Sequence, residues 1–229
     1  MRKAGELIRE YLREGKLAAN RSEPIGAGTY GVVYASDVPG NVIKQGLYPD
    51  DSPRWDKPTA LTTEANLQAI AAEMGIAPRV AGLETFPGGI GNRIEMADTR
   101  KNFAKHDSNN RLFPEGRDAV RVSQQLGQLA LKGIDLGDRT TDNIVYNKMT
   151  GRPMQIDFGI AGKVEGPQQV ASLAYATAEG FEAAGLGDVA EIYRATVFDL
   201  LEGGDVADAM DVAKQGFSRL QKIKTPLAN

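Results

Sequence analysis

A chain of 229 residues with 41% hydrophobic and 25% charged side chains has the composition of a globular protein with a real core, long enough for one large domain or two small lobes. Its net charge of −3 makes no electrostatic case for a nucleic-acid or membrane-surface partner. Zero cysteines exclude disulfides, thiol nucleophiles and cysteine–zinc sites, and a single histidine, His106, excludes multi-histidine metal sites and argues against a Ser-His-Asp arrangement.

In chain order, residues 4–17 place Leu7, Ile8, Tyr11 and Leu12 at helical spacing with charges opposite, which predicts an amphipathic helix covering a first sheet. Short β-rich runs follow near Ile25, at Val32-Val33-Tyr34 and at Val42-Ile43-Lys44, each bounded by Gly, Pro or Asn. A loop with Pro49, Pro53 and Pro58 holds the only tryptophan, Trp55. Thr62–Met74 reads as a helix that stops at Gly75, with Pro78 beyond it. Strands near Val80–Thr85 and Asn92–Met96 are joined by Pro87-Gly88-Gly89, so a first lobe, 1–97, is mostly β with one main helix. Residues 98–114, which include His106 in a polar stretch, read as hinge and linker. A long helix over 115–133 carries Val120, Val122, Leu126 and Leu129 on its apolar positions. Strands Asn143–Tyr146 and Met154–Asp157 flank the turn Thr150-Gly151, and helices at about 168–184, 187–203 and 206–222 complete a mainly helical second lobe, 98–229. The predicted class is α+β. No apolar run reaches membrane-spanning length and no secretory h-region opens the chain, so any export is expected to proceed without a cleaved signal of that type.

What remains for chemistry is carboxylate, lysine and backbone amide. Gly26-Ala27-Gly28-Thr29-Tyr30-Gly31-Val32 fits G-x-G-x-x-G-x-V, whose glycines let backbone amides approach phosphates. A plain Gly-rich hairpin turn has the same letters. The β-branched run after Gly31 argues for a hairpin lid; a dinucleotide fold opens a helix there. Lys44, thirteen residues after Gly31, is placed on a neighbouring strand where its ammonium can pair phosphates, although a lone edge lysine reads the same. Glu64, in the first turns of the next helix, can hold that ammonium or can simply favour the helix dipole. Asp138-Arg139-Thr140-Thr141-Asp142-Asn143 gives D-x-x-x-x-N: a carboxylate to orient an acceptor hydroxyl and an amide oxygen to ligate a metal. Ile156-Asp157-Phe158-Gly159 then closes a strand with an acid, an apolar anchor and a flexible turn.

In this order and at these spacings, the chain from Ser22 to Ala161 resembles the eukaryotic-like protein kinases. The resemblance implies a bilobal fold with the active site in the cleft, ATP and Mg²⁺ as cofactors, and transfer to a protein serine or threonine. It makes Gly26, Ala27, Gly28, Thr29, Tyr30, Gly31 and Val33 the nucleotide lid, Lys44 the strand lysine, Glu64 its helix partner and Asp138 the catalytic-loop aspartate. Asn143 and Asp157 become metal ligands. Glu95, Met96 and Ala97 become the hinge that meets adenine, with Ile94 as gatekeeper. The chain departs from the family where H-R-D is replaced by Leu136-Gly137-Asp138, where Thr140 replaces a lysine, and where A-P-E is missing. The stretch from Phe158 to the next helix is short and carries no hydroxyl, so constitutive activity is expected. The stripped second lobe is similar to the HopBF family of type III effector kinases. That likeness implies virulence, a monomer delivered to the host cytoplasm, and the host's 90-kDa heat-shock chaperone as substrate; a cytoplasmic location is the expectation otherwise. The Gly137-Asp138 pair is also similar to aminoglycoside-type small-molecule kinases, and a nucleotide-binding pseudokinase module is the reading outside enzymes.

Overall fold

The computed structural model describes residues 25–27, 31–36, 38–46, 58–86, 89–95, 116–137, 143–147, 149–150 and 152–223. The amphipathic segment 4–17, the Trp55 loop and the polar segment 98–114 lie outside them. The chain forms two compact units, Met1–Ala97 and Asp98–Asn229.

The first unit is an antiparallel five-stranded sheet with one helix. Its strands are β1 (Gly26–Ala27), β2 (Gly31–Ala35), β3 (Asn41–Gly46), β4 (Val80–Phe86) and β5 (Gly89–Glu95), ordered β1-β2-β3-β5-β4. The helix, α1 (Pro58–Glu73), connects β3 to β4 and packs against β4 and β5. Proline at the helix start has no amide to leave unpaired, so α1 begins at Pro58, where the sequence reads as the end of a loop. Gly75 closes the helix with φ +71 while Ile76 N–H donates to Ala71 O at 2.9 Å, a left-handed cap that glycine accepts without a Cβ penalty. Period-two alternation sends Ile43 and Lys44 to opposite faces of β3. Tyr34 and Ile43, cross-strand partners, are both fully buried, and Leu67 and Ala71 of α1 and Ile76 just beyond it are buried as well.

The second unit is mostly helical. It contains α2 (Gly116–Leu131), β6 (Ile134–Asp135), β7 (Ile144–Tyr146), β8 (Pro153–Gln155), β9 (Gly162–Lys163), α3 (Gly166–Ala183), α4 (Gly187–Glu202) and α5 (Val206–Gln221). β6 pairs with β9 and β7 with β8, both antiparallel. α3 is the central helix, packed on α2, α4 and α5. Its buried stripe, including Val170, Leu173, Ala174 and Phe181, meets Tyr193 and Val197 of α4 and Phe217 and Leu220 of α5. Two helical glycines mark close crossings: a Cβ on Gly127 would overlap the Phe217 ring, and one on Gly216 would overlap the Tyr193 ring. The described residues therefore make an α+β protein of five helices and small antiparallel sheets. No helix among them is long and apolar enough to cross a membrane.

Candidate functional site

In the first unit, β1 and β2 pair antiparallel with Gly26 opposite Val33 and Ala27 opposite Val32. β1 ends at Ala27, and Gly31 opens the antiparallel partner strand, not a helix. That geometry is a hairpin, the arrangement in which a Gly-rich turn can lie over a ligand. Gly28, Thr29 and Tyr30 themselves lie outside the described residues. Val33 pairs with Lys44 across β2 and β3.

Lys44 Nζ and Glu64 Oε1 meet at 2.6 Å, with 11% and 7% of the two side chains exposed. The pair ties β3 to the second turn of α1. A buried ammonium is costly without a partner, so the carboxylate fixes where the cation can sit. A cation held this way can meet an anionic ligand without searching for its position. Ile94 and Glu95 are in β5, paired with Val42 and Asn41. Their side chains, and all of Met96 and Ala97, lie outside the described residues.

In the second unit the register Ile144 to Gln155 aligns β7 with β8, and Ile156 N–H donates to Asn143 O at 2.8 Å. Asn143 and Asp157 therefore leave the hairpin from the same end. Asn143 is buried, and Gln125 of α2 braces the hairpin by donating to Pro153 O at 2.7 Å. The strand stops at Gln155, short of the extension to Asp157 read from the sequence. Asp157 instead adopts φ +62, the left-handed region that few residues other than glycine occupy. Gly159 N–H donates to its Oδ1 at 3.3 Å, and Phe158 is almost wholly buried, so the bend is pinned from both sides.

An amide oxygen and a carboxylate are hard donors, the set that suits Mg²⁺ when water and phosphate oxygens complete its shell. Among the described residues, no group of three or more His, Cys, Asp or Glu gathers in metal-binding geometry. Asp138 and residues 139–142 lie outside the described residues, but the chain entering them is defined. Gly137 has φ +73, and a Cβ there would come within 3.1 Å of Ile160. Any residue with a Cβ would be strained in such a backbone, which suits glycine at position 137.

Two residues that sequence patterns do not single out lie beside that entry: Asp135 accepts from Gly137 N–H at 2.8 Å and from the Ser172 hydroxyl. The two are 37 positions apart, and nothing in the local spacing links them. No family model matches the chain, and no curated protein matches it.

Proposed function

We propose that the chain is an ATP- and Mg²⁺-dependent protein kinase with a two-lobed kinase-like fold, transferring the γ-phosphate to a serine or threonine hydroxyl. The observation that carries this reading is the buried Lys44–Glu64 pair at 2.6 Å, on the strand next to a Gly-rich hairpin. In this reading the hairpin amides and Lys44 hold the phosphates, and the backbone of Glu95 to Ala97 meets adenine. Asn143 and Asp157 would hold Mg²⁺, and the ion would supply positive charge to the phosphates. Asp138 orients the acceptor hydroxyl and takes its proton as the oxygen bonds to the γ-phosphorus and the bond to the β-phosphate oxygen breaks, releasing ADP. The acceptor class we propose is a host protein, the heat-shock chaperone first among them, consistent with a bacterial effector.

The test is transfer of radiolabelled γ-phosphate to a eukaryotic lysate and to the purified chaperone, beside aminoglycosides and small alcohols. Protein labelling is expected. Asp157→Ala should abolish Mg²⁺-dependent turnover, and Asp138→Ala should keep ATP binding while lowering transfer about 10²–10⁴-fold. Label on small molecules alone, or transfer at the wild-type rate by Asp138→Ala, would overturn the assignment.

A further inference from the structure

We propose that Asp135 and Ser172 are positioning residues that set the direction in which the chain enters the Asp138 loop, an inference that rests on the kinase reading. β6 is only two residues long and pairs with a two-residue β9, so its ladder alone holds the following turn weakly. The turn is secured by side chains instead. One carboxylate oxygen of Asp135 accepts from Gly137 N–H at 2.8 Å, closing an Asx-type turn. The other oxygen accepts from the Ser172 hydroxyl. Such a turn needs one oxygen; engaging the second removes rotation of the carboxylate.

Ser172 is a rigid anchor. It is 6% exposed and lies on α3 beside Leu173 and Ala174, both wholly buried in the helical core. Leu136, 2% exposed, anchors the residue between Asp135 and Gly137. Ile160 closes the remaining side of Gly137. The orientation of the helical core thus passes through Ser172 and Asp135 to the amide of Gly137, one position before Asp138. With both oxygens engaged, Asp135 is disposed to hold backbone and not to take a proton from a substrate.

The experiment measures kcat, KM for ATP, the pH–rate profile and thermal unfolding for Asp135→Ala, Asp135→Asn, Ser172→Ala and Asp138→Ala. Asp135→Ala should lower kcat about hundredfold at unchanged KM for ATP, the scale of a misplaced catalytic group. Asp135→Asn should recover to within about tenfold of wild type. Its amide oxygen still accepts from Gly137 N–H, and the Ser172 hydroxyl can turn to accept from the amide nitrogen. Its acid limb in the pH–rate profile should be unchanged, because Asp135 is not the proton acceptor. Ser172→Ala should lower kcat about tenfold at unchanged KM, since the turn keeps one of its two hydrogen bonds.

Wild-type kcat in Asp135→Ala, or an inactive Asp135→Asn that has lost the acid limb, would overturn the proposal. If Asp135→Ala does not fold, Asp135→Asn and Ser172→Ala decide: the predicted pattern supports the role, and wild-type kcat in Ser172→Ala overturns it. An inactive Asp138→Ala beside fully active Asp135 variants removes the positioning role and leaves the kinase reading standing. A fully active Asp138→Ala removes both.

Discussion

Removing one partner of the buried Lys44–Glu64 pair takes from the other the counter-charge it meets at 2.6 Å, a change that typically costs about 3–5 kcal/mol in a buried pair. Lys44→Met and Glu64→Leu should each lower stability on that scale and each reduce ATP turnover strongly. The double variant replaces both charges with apolar groups, so it should regain most of the stability lost by either single change while remaining inactive. Urea unfolding and turnover measured on all four proteins check this; stability losses that simply add would show that the two residues do not act as a unit. A second single-residue effect comes from Tyr193. Burial pushes its phenol up to about 12, opposed by the Thr177 hydroxyl, which is close by but outside hydrogen-bond geometry. Its hydroxyl donates to Ala213 O at 3.2 Å. The folded chain keeps the proton after the unfolded chain has lost it at the ordinary value of 10.0, so this stability is complete below that value and is lost as pH rises toward 12. The stability advantage of wild type over Tyr193→Phe should shrink by on the order of 2 kcal/mol across this window. Urea midpoints at pH 8 to 12 test it, and a constant difference would count against it.

At the level of elements, helices carried a clear signal because one face of each is committed to a core. Val120, Val122, Leu126 and Leu129, the apolar positions of the 115–133 pattern, are all buried on α2. The β3 and β7–β8 strands were legible from β-branched runs between turn residues, and the sheet order follows once they pair. The β6–β9 ladder was not legible, since two residues a side cannot show alternation. Nor was the left-handed Asp157, where tertiary context sets the backbone against the strand pattern. Helical glycines were equally silent, because what makes them necessary is a ring on another helix. This gives opposite expectations for one chemical change. Gly216→Ala gains helix propensity but drives a methyl into the Tyr193 ring, and should destabilise by about 1–3 kcal/mol. Gly187→Ala, also in a helix and with nothing within 4 Å of the new Cβ, should be neutral or stabilise by up to about 1 kcal/mol. Thermal unfolding of the two variants reads the signs directly, and equal shifts would refute the close-crossing account.

For the molecule as a whole, the sequence order places Lys44 and Glu64 on a strand and helix that the fold joins, and Asn143 and Asp157 at one end of a hairpin; on the proposed reading, phosphoryl transfer asks for such groups in a constrained arrangement. The pairing that anchors the loop was not legible in the sequence, since it depends on where α3 falls. The same contacts bear on regulation. A kinase switched by phosphorylation needs an acceptor in a segment able to change between ordered and disordered states, and a cation to receive the new charge. Here the path from Phe158 to the start of α3 at Gly166 is short and tied down. β9 pairs with β6, Val164 N–H donates to Gly133 O at 2.9 Å, and Lys163 Nζ donates to Lys132 O at 3.4 Å. No Ser, Thr or Tyr lies between Phe158 and Gln169. Gly137, immediately before Asp138, has no side chain with which to pair a phosphate. On the proposed kinase reading, the protein should therefore be active as synthesised. Expressed alone, treated with phosphatase and then freed of it, it should give linear product formation from the first time point at the untreated rate. A lag that disappears after preincubation with ATP would show that self-phosphorylation at another place switches it on, and would overturn this account of its control.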